Sequence, residues 1–130
     1  MLSLASEMAT KLGTDLSKTV GTDLFVGNMP GSPDNAIALY ERTGRAPIRA
    51  MHDIVAAFQP HLEVRVRNSD YDAGYTQAKL LCSALQNFSG SIGATRYLQV
   101  TQLGDINALG RDESSPSRWT FGMTFLVMRA

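Results

Sequence analysis

Two pairs of carboxylates are the residues whose spacing could do chemistry: Asp70 with Asp72, ahead of a tyrosine-rich segment, and Asp112 with Glu113 in a polar stretch. Paired acids can hold a divalent cation or divide the roles of general acid and base. Both pairs have simpler explanations. Acids at 70 and 72 suit the first turn of a helix, where the dipole favours negative charge, and the spacing of Ser69 to Asp72 fits a capping box. Asp112 and Glu113 suit a solvated loop. Cys82 is the only cysteine, so no internal disulfide can form, and its neighbours Leu81, Ala84 and Leu85 mark it as a small buried helix residue. His52 and His61 share neither an HxxxH nor an HExxH spacing and read as loop or surface residues. No serine sits in a GxSxG elbow. "GDINALGRD" has five residues between its glycines where a phosphate loop has four, and Arg111 and Asp112 stand where Lys and Ser or Thr belong. The expectation is a protein without catalytic residues, metal or cofactor, not an enzyme.

Composition points the same way. The chain of 130 residues carries 12 Lys plus Arg against 12 Asp plus Glu, so no overall field gathers phosphate backbones or an anionic membrane. Nine of the cations are arginine, which suits planar ion pairs at packed interfaces. "MLSLASEMATKL" is too short and polar for a signal peptide, and no stretch approaches the ~20 apolar residues of a membrane span. A soluble protein made in a cytoplasm is expected, as a single domain over 1–130.

The elements that must position these residues follow from periodicity. Leu4, Met8 and Leu12 predict a helix over 2–12 that stops at Gly13. Strands are expected at 24–27 and 36–41, paired as an antiparallel hairpin across "NMPGSPDN". Residues 42–60 stay open, because Ile48, Met51, Val55 and Phe58 suit a helix while Gly44 and Pro47 favour a loop with a short strand. A strand starts at Pro60, followed by a helix over 70–88 with a stripe of Tyr71, Tyr75, Ala78, Cys82, Leu85 and Phe88. Next comes a strand over 96–103, which "GDINALGR" either continues after a kink or follows as a separate strand, and then a loop over 112–117. The last strand sets Trp119, Phe121, Met123, Phe125 and Val127 on one face and is central in the sheet. The fold class is α+β: a single-domain antiparallel (mixed) sheet with two main helices packed on one side.

In the strand "LEVRVRN", Leu62, Val64 and Val66 point one way and Glu63, Arg65 and Arg67 the other. The charged face is either a solvated surface with ordinary ion pairs or a contact with another subunit, where guanidinium forks would meet carboxylates such as Asp105, Asp112 or Glu113. Arg111 belongs with these interface candidates. Reversing Arg65 and Arg67 together is expected to abolish assembly and leave the fold intact.

The blocks "GTDLFVGNMPGSPDNAIALYERTG", "LEVRVRNSDYDAGYTQA" and "RYLQVTQLGDINALGRDE", with the aromatic-rich closing strand, resemble the phage minor capsid proteins that are similar in role and size to the tail terminators of long-tailed phages. The resemblance spans Gly21 to Met128, and Arg65, Arg67, Asn68, Tyr71 and Gly110 to Glu113 stand within its recognisable pattern. It implies a structural virion protein that forms a hexameric ring at the head-proximal end of the tail. Such a ring ends tube polymerisation and joins the tail to the head connector or neck protein. Its partners would be copies of itself, the tail tube protein and the connector, with DNA crossing the lumen without specific binding. The alternatives are another neck component, such as a head-completion or tail-completion protein, a small hydrolytic enzyme using the acidic residues, or a monomeric adaptor.

Overall fold

The computed structural model describes residues 1–50, 55–111 and 118–130. The apolar stripe of Leu4, Met8 and Leu12 forms α1 (Leu4–Asp15), capped by the Ser3 hydroxyl, which accepts from Ser6 N at 3.3 Å. The helix does not stop at Gly13. It runs on to Asp15, and the chain turns at Ser17 in the left-handed conformation. Gly13 serves the exit instead: its carbonyl accepts from Lys18 N, and a Cβ on it would lie 3.1 Å from the Lys18 carbonyl.

Then follow β1 (Leu24–Val26), β2 (Ala36–Arg49), β3 (Val55–Asn68), α2 (Tyr71–Leu85), β4 (Gly90–Ile92), β5 (Thr95–Gln102), β6 (Asn107–Arg111) and β7 (Trp119–Arg129). The result is α+β, a curled mixed sheet of seven strands with two helices. The sheet order is β1-β2-β3-β7-β5-β4, with β6 also beside β7. The expected β1–β2 hairpin is wrong. The two strands are parallel, Leu24 opposite Ile37 and Val26 opposite Leu39, because "NMPGSPDN" carries the chain back before β2 begins. Beyond Leu39 the outer edge of β2 has no strand partner among the described residues.

Residues 42–60 are neither helix nor loop with a short strand where described: β2 runs to Arg49 and β3 starts at Val55, making a long antiparallel arm. Residues 51–54 lie outside the described residues. Three register shifts between Arg42 and Arg49 break the two-residue alternation, which is why the stretch did not read as strand. Gly44 sits at the first shift, its α-carbon pressed against the backbone of Gln59 to His61. Pro60, with no N–H to give, falls where the pairing of β3 with β7 passes from Phe58 to His61.

Further along, β5 and β6 pair with the same edge of β7, so "GDINALGR" continues β5 after a kink. With β3 on its other edge, β7 is central as expected. The core joins Leu4, Met8 and Leu12 of α1, Ala78, Leu81 and Leu85 of α2, and the inward residues of the sheet, including Leu62, Val64, Phe121 and Phe125. One polar group is built into it. Glu7 Oε1 accepts from Arg129 Nη1 at 2.7 Å and from the Tyr97 hydroxyl at 2.7 Å, and Oε2 accepts from Thr95 at 2.6 Å. Glu7 and Arg129 are 3% and 8% exposed, so this ion pair is sealed from water.

Candidate functional site

The alternation of β3 sends Leu62, Val64 and Val66 into the core and leaves Glu63 and Arg65 half-buried on the opposite face. Three interface candidates from two distant segments of the sequence meet there. Arg65, Arg67 and Arg111 line one cleft of about 290 Å³, together with Met29, Leu109 and Thr120. Glu63 and Asp105 line an adjoining cleft of about 170 Å³, and Leu109 borders both. Leu109 lies over Gly122, where a Cβ would stand 3.1 Å from Leu109 Cδ1. Asp112 and Glu113 lie outside the described residues, as does His52.

The charges in this furrow are ordered differently from the reading above. Glu63 is shared: Arg65 donates to Oε1 at 3.1 Å, and Arg42 pairs with Oε2. Arg42 and Arg65 also flank the Tyr40 ring, at 5.2 and 5.5 Å. Arg67 is not on an open face. It is 5% exposed, and its guanidinium donates to the carbonyls of Pro33 at 2.5 Å and Asp34 at 3.1 Å, tying down the loop before β2. Parity along the strand gives the direction of a side chain but not what a distant loop lays over it. Reversing Arg67 would therefore damage the fold, and the paired Arg65 and Arg67 reversal is not a clean test of assembly. Arg67→Ala should cost about 1–3 kcal/mol, since it strands two carbonyls, while the half-exposed Arg65→Ala should stay within about 0.5 kcal/mol. Urea melts of the two variants measure the difference.

The aspartates at the start of α2 do no paired chemistry. Asp70 is the N-cap residue but makes no side-chain cap bond, and the Ser69 capping box does not form, because Ser69 N and Oγ both approach Asn35 Oδ1. Asn68 Oδ1 accepts from Asp70 N instead, at 2.9 Å. Asp72 lies in the first turn, as the helix dipole favours. The helical stripe is also corrected. Tyr71 and Tyr75 stay 46% and 40% exposed and lean edge-on against Phe121, at 5.1 and 6.1 Å, with Tyr71 also 6.3 Å from Trp119. The buried position is Gly74, where a Cβ would meet the Phe121 ring at 2.9 Å. Cys82 is half-buried with its sulfur 3.4 Å from Met123 Sδ, and burial, reinforced by the charge of Asp105, pushes its thiol up and away from nucleophile character. His61 is a half-buried strand residue, not a loop residue. Among the described residues no three His, Cys, Asp or Glu side chains are grouped to hold a metal, and no helix is long and apolar enough to cross a membrane.

A family model described as "Bacteriophage tail terminator protein" matches residues 11–127. The chain belongs to the bacteriophage tail terminator family. This terminator-family chain is therefore a structural virion protein associated with phage tail components, and not an enzyme. The fold agrees. A chain of the "Virion of native gene transfer agent (GTA) particle" is similar at 13% identity and TM-score 0.66, covering 99% of this chain and 98% of that one. A second solved chain is similar at 13% identity and TM-score 0.52, covering 94% of each. No curated protein sequence matches.

Proposed function

We propose that this chain, acting as a single domain over 1–130, closes into a hexameric ring at the head-proximal end of a phage tail, ends tube polymerisation there and joins the tail to the head connector. The observation that carries this reading is the family match across residues 11–127. The likeness to a chain of a gene transfer agent virion supports a place within a phage-like particle. The subunit is made in the host cytoplasm and works in the tail–neck region of the virion. Both helices take one side of the sheet in this reading, and the charged furrow of Glu63, Arg65, Asp105 and Arg111 takes the other. Arg67 braces the furrow from beneath, and the furrow, with Asp112 and Glu113, is the proposed contact with neighbouring copies.

The physics of stopping a polymer is asymmetric. One ring face satisfies the surface that a further tube subunit would use, and the other lacks the complementary surface and cannot template another layer. Equal numbers of acidic and basic residues suit a conduit, because a strongly basic lumen would neutralise phosphates and hold the DNA. Deleting the protein should give tails of uncontrolled length by negative-stain electron microscopy. Tails of normal length below heads that leak DNA would assign the chain to head completion instead.

A further inference from the structure

The two ends of β3 carry surfaces of opposite character. At one end the β2–β3 arm projects with exposed Arg42, Arg45 and Arg49, and with Ile48 and Phe58 at 42% and 37% exposure. Arg45 makes no ion pair among the described residues. At the other end, about 30 Å from Gln59 at ~3.3 Å per residue, stands the patch at the start of α2. There the exposed rings of Tyr71 and Tyr75 rest on Phe121, with Asp70 and Asp72 exposed at the helix start and Lys79 one turn on, over the Tyr75 ring at 5.6 Å. One end is basic and apolar, and the other is aromatic with two carboxylates at its helix-start edge. Isolated exposed apolar residues need no explanation, but an arm with an open β edge and a rigidly seated pair of tyrosines both have the composition of interface centres.

We propose that the β2–β3 arm of one copy docks on the Tyr71–Tyr75 patch of a second copy, with Arg45 meeting Asp72. The choice of a second copy rests on charge complementarity: each chain carries both halves, an arm with exposed Arg42, Arg45 and Arg49 and a patch with exposed Asp70 and Asp72. Two different surfaces make the contact head-to-tail, the type that generates a ring when its rotation closes. The inference deepens the ring reading by naming the joint, in addition to the furrow.

Sedimentation of the full chain tests it. Arg45→Glu and Asp72→Arg should each weaken self-association at least ~10-fold, since like charges across a contact cost more than one power of ten in affinity. The chain carrying both changes should recover to within ~3-fold of the original. The two single variants mixed in equal amounts should regain association comparable to the original, because the Arg45→Glu arm meets the Asp72→Arg patch and the unchanged Arg45 meets the unchanged Asp72, so the copies assemble in alternation while each variant alone pairs like charges. Circular dichroism checks that both exposed-site variants remain folded. Association that either variant leaves unchanged, a double variant that stays apart, or an original chain that is single at millimolar concentration overturns the proposal. The tail-length phenotype of the deletion is a separate readout: it speaks to termination whatever the joint proves to be.

Discussion

Glu7→Ala is expected to destabilise the fold by about 3–5 kcal/mol, the cost of leaving one member of a buried ion pair without its partner. The change removes the acceptor for Arg129, Tyr97 and Thr95 at once, on a carboxylate that is 3% exposed. Thermal melts should fall by roughly 10–20 °C. Adding Arg129→Met, which removes the stranded guanidinium, should recover part of the loss. A loss below about 1 kcal/mol for Glu7→Ala would show that the pair is not sealed. The same cluster sets an acid limit. Burial alone would raise the Glu7 carboxyl, but hydrogen bonds from Thr95 and Tyr97 and the charge of Arg129 outweigh it and hold it below its ordinary value of 4.5. With the folded-state value below the unfolded one, this contribution is fully present above about pH 4.5 and is lost as pH falls through the folded value. Glu7→Ala should therefore flatten the stability profile below pH 4.5, as read by urea melts across that range.

Gly44→Ala is expected to open the arm. A Cβ there would stand 2.1 Å from the Gln59 carbonyl oxygen, 2.6 Å from Pro60 Cα and 2.8 Å from His61 N. All three are backbone atoms, so no side chain can swing aside and the two strands must part. The strain of such overpacking is about 1–3 kcal/mol or more, and it falls where β2 and β3 have no third strand on the β2 side. Hydrogen exchange should show the amides from Arg45 to Arg49 losing protection while Val64 and Phe125, deep in the core, keep theirs. Unchanged protection in the arm would contradict this. If the arm is the docking element, the same variant should assemble poorly with its core melt preserved.

Where one rule acted alone, the sequence was readable. The alternation of β7 placed Phe121, Met123, Phe125 and Val127 inside and put the strand at the centre of the sheet. The same parity leads to what was missed: Arg129 continues the inward series, and Glu7 borders the stripe of Leu4 and Met8 on α1. Polar residues on apolar faces were a signal for the buried cluster. The arm was obscured because bulges at Gly44 and near Ile48 break the period. β4 was missed because a strand of three residues that opens on Gly90 and is followed by Gly93 carries too little pattern. Of the interface candidates, Arg111 converges with Arg65 and Arg67, which no spacing could reveal, since a kinked β6 brings Arg111 across β7. The burial of Arg67 depended on a loop some thirty residues earlier in the chain.

The position of β7 has a bearing on how a newly made subunit matures. Among the described residues it is the last of the seven strands to leave the ribosome, yet it alone bridges β3 and β5. A nascent chain halted before Trp119 would hold two half-sheets, β1-β2-β3 and β4-β5, with no ladder between them among the described residues. Joining of the sheet is thus a late event in synthesis, set by non-local pairing with the final strand.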